Sequence, residues 1–128
     1  MDPIFEHRAD HDLKVNYNII KGDFKFEDFI FYIDKVVHSP GYIDTYNIQV
    51  DIREANFIDF KKNSSILVDY FSGTIKLFNM NRKCAFITSK PMDVVYATLL
   101  IEKLQKIGIQ IKFQIFSSTE AALIWMSV

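Results

Sequence analysis

The chain has 128 residues, 49% hydrophobic and 24% charged, a globular composition sized for one domain over residues 1–128 that argues against disorder. Lys and Arg number 15 against 16 Asp and Glu, so no basic excess exists to displace counterions from a phosphate backbone, which argues against nucleic acid as a partner. Cys84 is the one cysteine, so an internal disulfide and a cysteine-based zinc site are excluded. No apolar run approaches the roughly 20 residues of a membrane span, and the expectation is a cytoplasmic protein.

Ile4 to Arg8 reads as a short strand and Ala9 to Asp12 as a polar turn. Leu13, Val15, Tyr17 and Ile19 alternate as a second strand, which completes an antiparallel hairpin ended by Gly22-Asp23. Phe26, Phe29, Ile30, Ile33, Val36 and Val37 then recur at helical spacing, and Ser39-Pro40-Gly41 stops the helix. Glu27 and Asp28 suit the positive end of its dipole, whereas Lys25 holds a cap position that Ser or Thr would fill better.

Tyr46 to Ile52 is an alternating strand, with Ile48, Val50 and Ile52 set against Asn47, Gln49 and Asp51. The polar Arg53-Glu54 reads as its exit. A longer helical pattern follows through Phe60, Ser64, Leu67, Phe71, Ile75 and Phe78, bent or divided at Gly73. Lys83 to Thr88, with the apolar run Cys84-Ala85-Phe86-Ile87, is a strand covered on both faces. Met92 to Ile107 is a helix with Pro91 before it and Gly108 as its stop. Ile109 to Phe116 alternates as a last strand, and Ser117 with Glu120 forms a capping box for a final helix, Thr119 to Met126. From residue 46 onward strands and helices alternate. The predicted class is therefore α/β: a mixed sheet made of an N-terminal antiparallel hairpin followed by parallel strands that alternate with about four helices.

Four segments carry a resemblance: Gly22 with Glu27-Asp28 opening the first helix; Tyr46-Asn47 leading into Val50-Asp51-Ile52-Arg53; Cys84-Ala85-Phe86-Ile87-Thr88; and the ending Phe116-Ser117-Ser118-Thr119-Glu120-Ala121-Ala122-Leu123-Ile124-Trp125-Met126. In their order and spacing the chain resembles the SpoIIAA-like, or STAS/SEC14-type, small bacterial α/β domains over most of its length. The resemblance implies a mixed sheet with helices packed on it, in a group that includes regulators of sigma-factor control and is reminiscent of lipid carriers. Phosphoswitch members carry an Asp-Ser-Ser-Gly-like turn after a central strand. Here the corresponding exit reads Asp51-Ile52-Arg53-Glu54-Ala55-Asn56, and the next serines are Ser64 and Ser65, so the switch-serine motif is missing.

The C-terminal ends of parallel strands and the N-termini of the following helices form the crest where ligands bind. On this chain the crest gathers Asp51, Arg53, Asn56, Thr88, Ser89, Lys90, Ser117 and Ser118, a set suited to a small anion or a partner's loop, or else to local pairing and capping. Phe31, Tyr32 and Tyr70 fall away from the main apolar stripe, where aromatics line an apolar pocket or a partner surface, or simply crowd the core. His7 and His11 with Asp10 and Asp12 make only a loose cluster in a polar turn, and no metal is expected there. Cys84, inside an apolar strand, reads as a core thiol. The isolated glycines at 22, 41, 73 and 108 make neither a phosphate-binding loop nor a dinucleotide fingerprint, and no serine, histidine and acid stand at nucleophile spacing. The expectation is a non-enzymatic domain without a cofactor, a regulatory or interaction module that binds a protein partner or itself. The alternative is a carrier or sensor of a lipid or other small apolar ligand.

Overall fold

Strands that alternate apolar and polar residues must pair to satisfy their backbone groups, and in the computed structural model, which describes residues 2–58, 69–73 and 79–128, they do so in one five-stranded sheet. β1 (Ile4–Asp10), β2 (Val15–Phe24), β3 (Asn47–Phe57), β4 (Lys83–Ile87) and β5 (Lys112–Phe116) lie side by side in chain order. β1 pairs antiparallel with β2, and β2 to β5 pair parallel. The helices are α1 (Phe26–Val37), α2 (Pro91–Lys106) and α3 (Thr119–Met126), and residues 69–73 are also helical. The mixed α/β sheet expected from the alternation is the sheet that forms. Of the long helical pattern expected between β3 and β4, Phe60, Ser64, Leu67, Ile75 and Phe78 lie outside the described residues. Among the described residues no helix is long and apolar enough to cross a membrane.

Because the strand order follows the chain without reversal, crossovers of one hand place their helices on a single face of the sheet. That face holds the main core, with Ile20 and Phe24 of β2, Phe29 of α1, Val50 and Ile52 of β3, Phe71, Cys84 and Phe86 of β4, and Leu100 and Leu104 of α2. Burying each large side chain contributes about 1.5–3 kcal/mol. α3 covers the opposite face, where Val15, Ala85, Ile87, Ala122 and Met126 are buried together. The continuous apolar run of β4 follows from being covered on both sides.

Both long strands run past their expected ends. β2 continues through Gly22, at φ 85, to Phe24, because its neighbour β3 supplies hydrogen-bond partners that far. Burial on β2 is also not the simple alternation of Val15, Tyr17 and Ile19. Asn16 and Asn18 are buried on the face toward α1. Asn16 is kept there by its amide donating to the Ile43 carbonyl at 2.7 Å and its oxygen accepting from the Ile43 N–H at 3.3 Å.

β3 likewise does not leave the sheet at Arg53-Glu54. It carries a bulge: Ile19 pairs with Asp51 but Lys21 with Glu54, three steps on β3 against two on β2. The extra residue shifts the inward phase from Ile48, Val50 and Ile52 to Ala55 and Phe57. The true exit is Phe57 and Ile58, whose N–H donates to the Phe24 carbonyl at 3.0 Å. The end of the strand therefore falls five residues later than expected, at Phe57, and Ser64 and Ser65 lie outside the described residues.

Helix ends follow local chemistry with two adjustments. Lys25 is the N-cap of α1, and Asp28 at the third helical position accepts its backbone N–H at 2.9 Å, which supplies the half of a capping box that a lysine allows. α3 is capped by Ser118 and not Ser117: its Oγ accepts the Ala121 N–H at 3.3 Å. α2 closes at Gly108, φ 100, where Gly108 N–H donates to Gln105 and Ile109 N–H to Leu104 at 3.1 and 3.0 Å. This reversal turns Ile109 and Ile111 into the core before β5 begins at Lys112.

Candidate functional site

The crest residues divide between the two faces of the sheet. Asp51 and Arg53 are two apart on β3, on the face opposite Val50 and Ile52, and they close on each other. The Arg53 Nε and Nη2 donate to the two Asp51 oxygens at 3.0 and 2.7 Å, and the Arg53 backbone N–H donates at 3.1 Å. Burial pushes the Asp51 carboxyl up, but these bonds and the guanidinium charge outweigh it and hold it below the ordinary carboxylate range. The pair clasps the bulge, and its charges are spent on one another. Asn56 donates to Asp23 at 2.8 Å at the far end of β3 and β2.

On the other side of the crest, Lys90 donates to the Ala55 carbonyl at 3.2 Å and stands 3.7 Å from Asp93. Asp93 is buried in the first turn of α2, and that burial raises its carboxyl above the ordinary range against the pull of Lys90 and Thr88. Ser89 is exposed beside them. Thus Lys90, Thr88 and Asp93 meet, while Asp51 and Arg53 stand apart from them and Ser117 and Ser118 belong to the start of α3.

The three aromatics also separate. Tyr32 is buried; its ring stacks on Phe5 with centroids 4.7 Å apart, and its hydroxyl lies 2.6 Å from Asn18 Oδ1. Tyr70 is half-buried, with its hydroxyl donating to Asp34 at 3.1 Å and its ring edge-on to Phe71. Phe31 alone remains on the surface, 75% exposed.

Tyr32 leads to an apolar cavity on the helical face. Between α1, the sheet and the end of α2 lies a cavity of about 100 Å³, walled by Tyr32, Val36, Val50, Phe86, Leu104 and Ile111 among others. Asn18 contributes the one amide in its described wall, and that amide is already engaged by the Asn16 and Gln49 carbonyls at 3.3 Å. An apolar void of this kind stays dry or takes an apolar guest.

Neither a protein-family model nor a curated protein is matched by the sequence. Among solved structures the chain is similar to an uncharacterized protein of the DUF3478 family from Shewanella loihica PV-4 that has a SpoIIAA-like fold. The TM-score is 0.59 over 97% of this chain and 93% of that one, at 13% sequence identity. The chain has a SpoIIAA-like fold.

Within this SpoIIAA-like sheet the remaining titratable groups are held locally. His7 bonds Asn16 at 3.1 Å, His11 bonds the Tyr46 hydroxyl at 2.9 Å, and His38 lies 2.7 Å from the Asp34 carbonyl. Among the described residues no three His, Cys, Asp or Glu side chains gather closely enough to hold a metal. Cys84 lines the cavity, and burial pushes its thiol up to about 12, so it stays protonated and unreactive at neutral pH.

Sequence reasoning passed over Arg82, which is 5% exposed. Strand alternation did not reach it, because Arg82 lies in the bend just before β4 begins at Lys83. The Tyr42 contribution to the cavity carried no signal either, because Tyr42 stands on the connection between α1 and β3.

Proposed function

We propose that the chain is a non-enzymatic SpoIIAA-like binding domain and that its ligand places a small apolar group in the cavity between the helical layer and the sheet. The observation that carries this reading is the cavity wall, built from aliphatic and aromatic side chains of α1, β3, β4 and the turn after α2. Its volume limits the guest. At about 30 Å³ per water-sized unit it has room for about three to four heavy atoms, so the buried group is short or branched and not a full lipid tail. The test is an NMR titration with 1-butanol, following the methyl signals of Val36, Ile48, Val50 and Ile111. Saturable shifts confined to these groups, and weakened in a V36I/V50I double variant, support the reading. Shifts spread over the surface and unaffected by the variant would rule it out.

A second reading, docking of a protein partner or a second copy, is favoured by Phe31, which stands exposed between Glu27, Asp34 and Lys35 on α1. Sedimentation of the wild type and of Phe31→Ser tests it for self-association, which the variant should abolish; a concentration-independent monomer in both removes the self-association arm.

A further inference from the structure

One ring beyond the apolar cavity, across Tyr42, lies a buried charge that no carboxylate among the described residues neutralises. Arg82 immediately precedes β4, and its carbonyl accepts from Lys112 N–H at 3.2 Å, which ties it to the sheet. Its Nε donates to the Asn79 carbonyl at 2.9 Å, its guanidinium carbon lies 5.4 Å from the Tyr42 ring centroid, and its Nη1 is buried with no hydrogen-bond partner. A guanidinium is always protonated. Among the described residues no carboxylate lies within ion-pair distance of it, although elsewhere on the chain Asp51, Asp93 and Glu54 each have a cation close by. A buried cation without an anion is costly, and one carbonyl with the ring and hydroxyl of Tyr42 is incomplete compensation.

The placement of this charge is specific. Tyr42 and Cys84 line the cavity, and both feel the Arg82 charge, Tyr42 through its ring and Cys84 across a short stretch of chain. On its outer side Arg82 borders a polar cleft of about 430 Å³ together with Asn81, Lys83, Gln110 and Lys112. Arg82 therefore lines the cleft, and the Tyr42 ring stands between its guanidinium and the apolar chamber. Tyr42 separates the two from the connection between α1 and β3, outside the sheet pairing, and a ligand that reaches both must move its ring aside.

Resting on the reading that the cavity takes an apolar group, we infer that the ligand is a short-chain carboxylate, its aliphatic part in the cavity and its carboxylate on the Arg82 guanidinium. An arginine fork matches two carboxylate oxygens with two N–H donors, and the unpartnered Nη1 supplies one of them. In the cleft Lys112 draws the anion toward this end, whereas Lys83 is held by the Val128 and Trp125 oxygens at 2.6 and 2.8 Å.

The test compares butanoate with 1-butanol, two probes of equal carbon number, by NMR titration of the full chain at constant ionic strength, with acetate as a control for charge without the longer chain. The expected result is that butanoate binds at least about tenfold more tightly than 1-butanol, and that Arg82→Met brings the two to equal affinity while 1-butanol binding is kept. Acetate should bind far more weakly than butanoate. Equal affinities of both probes for the wild type would overturn the carboxylate inference and leave the cavity reading standing; binding of neither would overturn both. A butanoate preference that survives Arg82→Met would place the anion on another cation and overturn the role of Arg82. Because Arg82→Met removes an unpaired buried charge, its melting temperature should not fall, and Arg82→Lys provides a second variant that keeps the charge without the fork and retains only part of the preference.

Discussion

Asp51 and Arg53 hold the β3 bulge closed through three hydrogen bonds of 2.7 to 3.1 Å, with both guanidinium donors and the Arg53 backbone N–H converging on one carboxylate. The backbone donor matters most to the architecture, because a bulge leaves an N–H out of the ladder and Asp51 receives it. Substituting Asp51→Ala should destabilise the fold by about 0.5–1 kcal/mol, a small figure because Arg53 is 43% exposed and the pair is screened by solvent. Since the Asp51 carboxyl is lowered in the folded state, its contribution is present above the ordinary carboxylate range and is lost as pH falls through the folded value. Urea midpoints of wild type and variant, measured from pH 7 down to pH 3, should therefore converge at the acid end.

Asp93 should show the opposite dependence. Its folded carboxyl is raised by burial, so the native state binds the proton more tightly than the unfolded chain, and stability falls as pH rises from the ordinary carboxylate range through the raised value. Asp93→Asn should raise the melting temperature by a few degrees at pH 7 and lose that advantage on acidification. Thermal scans at both pH values check it, and a variant less stable at pH 7 would show that the ion pair with Lys90 outweighs the burial cost.

The cavity makes a packing prediction with a definite sign. Val50→Ile adds one methylene to a wall that has room for it, so it should stabilise by about 0.8 kcal/mol. In a fully packed core the same change forces off-rotamer side chains and costs about 1–3 kcal/mol. Chemical denaturation of this single variant distinguishes the two cases.

Cys84 should react with a thiol reagent only as fast as the protein opens. Its thiol is buried and pushed up to about 12, and the thiolate is the reactive form. Labelling at pH 8 should be slow without denaturant and complete within the mixing time in concentrated urea; fast labelling of the native protein would mean that the cavity wall opens readily.

Gly108 closes α2 at φ 100, a conformation that costs a side-chain-bearing residue about 1–2 kcal/mol. Gly108→Ala should lose about that much stability in urea titrations, and because Ile109 and Ile111 enter the cavity wall immediately afterwards, it should also weaken 1-butanol binding.

What the sequence determined by itself is what short-range chemistry controls. Alternation over Ile48 to Ile52, helical spacing over Phe29 to Val37, the continuous apolar run of Cys84 to Ile87 and the Gly108 stop each depend on residues a few positions apart, and each element contains the residues that signalled it, although β3 runs on to Phe57. The order of strands and helices then left few ways to build a sheet, so the α/β class was legible as well. The tertiary structure decided whatever depends on residues far apart. Asp51 and Arg53 looked like the polar end of a strand because the bulge that turns them into a clasp exists only against β2, more than 30 residues earlier in the chain. Asn16 and Asn18 are buried because Ile43, Gln49 and Tyr32 come to meet them. The cavity and its neighbouring cation belong to the same class: no local pattern records how well three layers of side chains fill the space between them, or that Arg82 would come to rest against Tyr42 with no acid beside it.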